Sequence, residues 1–99
     1  MRPRIGGFDW DDGNRLKCQK HGVTPEEIEA AFEGELYVAP DPKHSGSEQR
    51  SIAVGRTKAG RHLFVAFALR QRGNEIFARP ISARYMHKKE IEAYEKKSS

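Results

Sequence analysis

Lys20, His21, His44 and Glu48 can each carry a proton, and several arginines further along can hold a phosphate. Together they are the parts needed to cut RNA without a metal. In that chemistry the 2′-hydroxyl attacks the adjacent phosphate. A base must stand near the hydroxyl, an acid near the leaving oxygen, and cations around the phosphorane. Arg50, Arg70, Arg79 and Arg84 are available as the cations. Between Arg50 and Arg84 the chain has seven arginines, one lysine and a single acid, Glu75. A guanidinium stays charged, is planar and grips phosphate as a fork. A sheet face carrying several of them is a candidate surface for a polyanion.

Each of these residues also has a purely structural reading. The arginines can form a solvated sheet face, with their stems lying over apolar surface. His21 can be the cap of a helix C-terminus. His44 and Glu48 have ligand-like spacing, but they straddle a loop and a strand start, so solvated turn residues are expected there rather than a metal site. Cys18 lies near Lys17 and Lys20, which could lower its pKa; a packing cysteine is the plainer reading. No paired-cysteine motif, His-Glu-x-x-His or phosphate-cradling glycine loop occurs, so neither metal nor cofactor is expected.

The elements that must position these residues are short. The 99 residues are expected to form a single domain spanning 1–99. Net charge is +4 and unevenly spread. Residues 1–49 have 6 Lys/Arg against 10 Asp/Glu, whereas residues 50–99 have 12 against 4. Such asymmetry points to a nucleic-acid partner, although the acidic half can also fold back over the basic half. One cysteine excludes an internal disulfide and suits a reducing cytoplasm. No apolar run approaches the roughly 20 residues that span a bilayer, and the N-terminus lacks the apolar core of a signal peptide.

Phe8-Asp9-Trp10 reads as a short strand or aromatic anchor. Asp11 or Asp12 then caps a helix ending at His21-Gly22. Thr24-Pro25-Glu26-Glu27 signals a capping box with proline at the first helical position. Ile28, Ala31 and Phe32 give that helix a buried face. Strands are expected over Leu36–Ala39, Gln49–Arg56, Arg61–Leu69 and Glu75–Ser82, with a helix from about Tyr85 to Lys97. The third of these strands is apolar on both faces and should be central, with Leu63, Val65, Phe67 and Leu69 on one face. Pro80 cannot donate to a ladder and needs an edge or a bulge. The sum is an α+β fold, with an antiparallel meander of about four strands, two N-terminal helices and a C-terminal helix.

Several strings, in order, resemble the BrnT family of bacterial toxins: Phe8-Asp9-Trp10-Asp11, Lys20-His21-Gly22-Val23, Asp41-Pro42-Lys43-His44, Glu48-Gln49-Arg50, Ile52-Ala53-Val54-Gly55, and Ile81-Ser82-Ala83-Arg84 with Glu90 and Tyr94-Glu95. The resemblance runs from Phe8 to Glu95. It implies a fold like that of RelE-type ribonucleases and a metal-independent endoribonuclease that slows translation. It also implies a cognate ribbon-helix-helix antitoxin, through which alone the complex would bind promoter DNA. On this reading Lys20, His21, Glu48, Arg50 and Arg84 form the catalytic set, and Arg61, Arg70, Arg79 and His44 contact flanking RNA. Pro80 stands where the family has an aliphatic residue, and it is expected to bend the last strand and re-aim Arg79 or Arg84. The competing expectation is a basic module that binds an antitoxin or nucleic acid and cuts nothing.

Overall fold

The computed structural model describes residues 5–41 and 49–98, with side chains to residue 96. The fold is α+β. Its elements are β1 (Gly7–Phe8), α1 (Asp12–Gln19), α2 (Pro25–Glu33), β2 (Tyr37–Pro40), β3 (Ser51–Arg56), β4 (His62–Arg72), β5 (Glu75–Tyr85) and α3 (Lys88–Ser98). Strands β2 to β5 form the expected antiparallel meander. A fifth strand adds to it: β1 pairs parallel with β5, Gly7 opposite Phe77 and Phe8 opposite Ala78. The sheet order is β1-β5-β4-β3-β2, which puts the doubly apolar β4 in the centre.

Both N-terminal helices start at reciprocal caps. Asp11 accepts from the Asn14 backbone N–H, and the Asn14 side chain accepts from the Asp11 N–H. Thr24 and Glu27 do the same for α2, with Pro25 in the first turn. Each pair satisfies two donors that a helix start leaves without partners. After α1 the chain reverses at Gly22, whose φ of +85° is left-handed and favours glycine.

The two helices cover one face of the sheet. Between them lie Cys18, Val23, Ile28, Ala31, Phe32, Leu63, Val65 and Phe67, all buried. Phe32 meets Phe8 and Phe67 edge-on, with ring centroids 5.4 and 5.2 Å apart. Leu69 departs from the expected alternation: it is 46% exposed, because β4 runs on to Arg72 beyond the helical cover. Cys18 is fully buried, and burial pushes its thiol up to about 11. The lowering that Lys17 and Lys20 suggest therefore does not occur.

The last strand is longer than its sequence suggests, reaching Tyr85, so the final helix begins only at Lys88. Pro80 sits beside an irregularity rather than at an edge. Phe67 faces Pro80 while Ala66 faces Ser82, which leaves Ile81 as the extra residue of a bulge. Pro80 is buried on the helix side, and its carbonyl accepts a 2.8 Å bond from the Asn14 side chain. Asn14 also donates to the Asp9 carbonyl, so one buried amide joins the start of α1 to the bulge.

Candidate active site

The sheet face opposite α1 and α2 gathers three of the candidate residues. Arg84 lies on β5 beyond the bulge, opposite Phe64. Arg50 immediately precedes β3, where its carbonyl accepts from the Asp41 N–H at 2.9 Å. His21 comes from the turn between α1 and α2. These three residues, far apart in sequence, line one cleft of about 330 Å³. Asp41, Ile52, Phe64 and Ser82 also line it. It thus joins one proton carrier to two guanidinium groups.

Arg84 is already engaged. Its two terminal nitrogens donate to the two Glu90 oxygens at 2.7 and 2.8 Å. The guanidinium also lies 4.8 Å from the Phe64 ring centroid. These hydrogen bonds, with a further one from the His87 N–H, hold the Glu90 carboxyl down at about 2. Glu90 raises the Arg84 pKa in return. A carboxylate held so low is a poor proton acceptor near neutral pH, so Glu90 serves to orient Arg84 rather than to act as a base.

Tyr85, on the other side of the strand, anchors the turn bearing His21. Its hydroxyl donates to the Glu27 carboxylate, with oxygens at 2.8 and 2.9 Å, and lies 3.4 Å from the Gly22 carbonyl. The Arg61 guanidinium stacks 3.4 Å over the Tyr85 ring. The bond to Glu27, then burial, raises the Tyr85 pKa. Burial pushes the Glu27 carboxyl up, but bonds from Thr24 and Tyr85 outweigh it and leave Glu27 below its ordinary 4.5. Tyr85→Phe should let the Glu27 pKa rise, seen by NMR titration, and cost about 1–3 kcal/mol near neutral pH. The sign follows from the lowered carboxyl. Its stabilisation is present above 4.5 and fades as pH falls below that value.

The other expected contacts are spread more widely. Lys20 caps α1 next to His21 and is exposed. Arg61 stands at the start of β4, and Arg70 is exposed towards its far end. Arg79 is drawn away from the cleft: it bonds Asp11 at 2.6 Å and lies 3.6 Å from Asp9. Arg72 also meets Asp9, at 3.0 Å. Among the described residues the acidic half therefore does fold back: Asp9 and Asp11 hold Arg72 and Arg79 at the β1 end of the sheet, and Asp41 lines the cleft. His44 and Glu48 lie outside the described residues. Among the described residues no three His, Cys, Asp or Glu side chains converge as metal ligands, and no helix is long and apolar enough to cross a membrane.

The roles of Glu90, which the resemblance includes without one, and of Tyr85 escape a reading of the sequence. Glu90 takes the capping-box position three residues after His87, but histidine at the cap is not among the residues that signal one. Tyr85 falls at the boundary between expected strand and expected helix, where its direction is ambiguous.

A search of the curated proteins finds no match. The family model described as ribonuclease toxin, BrnT, of type II toxin-antitoxin system matches residues 10–90, which include His21, Arg50, Arg84 and Glu90. With that match over most of its length, the chain belongs to the BrnT family of ribonuclease toxins.

Proposed function

We propose that this toxin cleaves RNA by attack of the substrate's own 2′-hydroxyl, without a metal, in the cleft between His21, Arg50 and Arg84. The observation that carries the reading is the convergence of those three side chains in one cleft. A base takes the 2′-proton, the O2′–P bond forms, the P–O5′ bond breaks, and an acid protonates O5′. The products are a 2′,3′-cyclic phosphate and a 5′-hydroxyl. His21 is the proton carrier, with Lys20 beside it, and Glu48 is the alternative base. Arg50 and Arg84 carry the phosphorane charge. Arg61 and Arg70 suit flanking phosphates, whereas Arg79 reaches RNA only by exchanging Asp9 and Asp11 for phosphate. Translation slows as RNA is cut. The family resemblance supports a ribbon-helix-helix antitoxin as the partner that also binds promoter DNA.

The test is an end-labelled RNA incubated with the folded toxin in EDTA. Cleavage to a cyclic phosphate should persist, and His21→Ala should lower kcat by about 10²–10⁴-fold while RNA binding survives. The Arg84–Glu90 pair favours a second reading, because the fork that would take phosphate is already filled. On that reading the basic face binds RNA or antitoxin and breaks no bond. RNA bound but intact in this assay would select it.

A further inference from the structure

A second depression lies on the same face, between α3 and strands β2 to β4. It holds about 820 Å³, enough for several large side chains. Tyr37, Ile52, Val54, Phe64, Met86 and Tyr94 give it an apolar and aromatic lining. Glu90 is the one charged side chain in that lining. Arg84 already pairs with that carboxylate, so the apolar lining gives phosphate no partner and favours protein. Tyr37, on the outermost strand, is 55% exposed despite its size. Contacts of helix α3 across the groove include Arg84 with Glu90, Arg56 with Glu95 at 3.7 Å, and the Tyr94 ring edge-on to Tyr37 and His62.

Those contacts show which chemistry the face accepts. It takes an aromatic ring against the sheet and carboxylates on arginines at the rim. The Arg56–Glu95 pair is long, with both side chains more than half exposed, so another carboxylate can replace Glu95 at little cost. A type II toxin has an antitoxin partner, and this is a large apolar opening beside its basic cleft.

We propose that the antitoxin docks in this groove through an acidic amphipathic segment. Its apolar side chains rest on Tyr37, Val54 and Phe64, and its carboxylates meet Arg56 and Arg50. Ile52 and Phe64 line both groove and cleft, so a docked segment stands over the cleft as well. The blocking of RNA rests on the nuclease reading above; the docking itself does not.

Two exposed lining positions permit a test without disturbing the cleft: Tyr37→Glu and Ala93→Glu. Leu16→Glu, at a 69% exposed position on α1, is the control. Affinity for the purified cognate antitoxin is measured by calorimetry, and RNA cleavage by each free variant in parallel. The two groove variants should bind antitoxin about 30-fold more weakly or worse. They should still cleave RNA within about twofold of the parent, now unprotected by antitoxin. Unchanged antitoxin affinity in both groove variants overturns the proposal, as does a loss confined to Leu16→Glu. Weakened RNA binding with antitoxin affinity intact also overturns it, and assigns the groove to RNA. If the parent cleaves no RNA yet the groove variants lose antitoxin, docking is upheld and the nuclease reading falls.

Discussion

Arg84→Ala should slow RNA cleavage by about 10²–10³-fold, the loss typical of one donor to a developing oxyanion. Arg84 is the cation the cleft controls best, fixed by Glu90 on its terminal nitrogens and by Phe64 beneath its plane. It arrives at the phosphate already oriented, so little side-chain entropy is lost in the transition state. Arg84→Lys should recover only part of the rate, since an ammonium cannot hold the Glu90 carboxylate bidentately and still present a fixed donor to phosphate. Single-turnover cleavage with saturating RNA separates this effect from binding, and a rate equal to that of the parent would place the chemistry elsewhere. Acid should act on the same pair. Glu90 is held at about 2 against an ordinary 4.5, so the pair is fully formed above that ordinary value and dissolves as pH falls towards 2.

Phe67→Ala should be the most destabilising single truncation in the core. Phe67 is 1% exposed, sits on the central strand and meets Phe32 edge-on, which in turn meets Phe8. Removing the ring opens a cavity where β1, β4 and α2 join, at a cost of about 3–5 kcal/mol. A domain of this size has about 5–15 kcal/mol in all, so a large part of its stability would go. Urea denaturation of both proteins gives the difference directly. Truncating exposed Leu16 to alanine should change stability by no more than about 0.5 kcal/mol.

Local signals account for what the sequence reveals of this fold. Thr24-Pro25-Glu26-Glu27 encodes the start of α2 in neighbouring residues, and the two apolar faces of β4 encode its central place. Pro80 signals an edge or a bulge because it has no N–H to offer a ladder, and the bulge is what forms. What is not legible depends on residues distant in the chain. Phe8-Asp9-Trp10 signals a short strand or an anchor, but the bounds of β1, Gly7–Phe8, and its parallel pairing with β5 have no local signal. Asn14 reads as an ordinary first-turn residue, yet it is buried because it bonds the Pro80 carbonyl 66 positions away.

The cleft divides in the same way. His21, Arg50 and Arg84 are legible as residue types suited to phosphate chemistry, but their convergence is set by strand order. Composition alone cannot separate Arg84 from Arg79. Both lie on β5, yet Arg79 is taken by Asp9 and Asp11, because β1 and the start of α1 lie alongside that half of the strand.

Ile81 sets the phase of the last strand. Before it, residues of even number such as Ala78 and Pro80 face the helices; after it, Ala83 and Tyr85 do. The extra residue thus inverts the parity that decides which side chains meet water and which meet oil. Closing the bulge with every residue kept would impose strict alternation and exchange the faces of the residues beyond it. Arg84 would be driven beneath the helices, and Tyr85 would be turned out towards solvent, away from Glu27. The chemistry of this face therefore rests on a count as much as on a composition. A chimaera that keeps every arginine but loses the bulge would carry the right groups on the wrong side of the sheet.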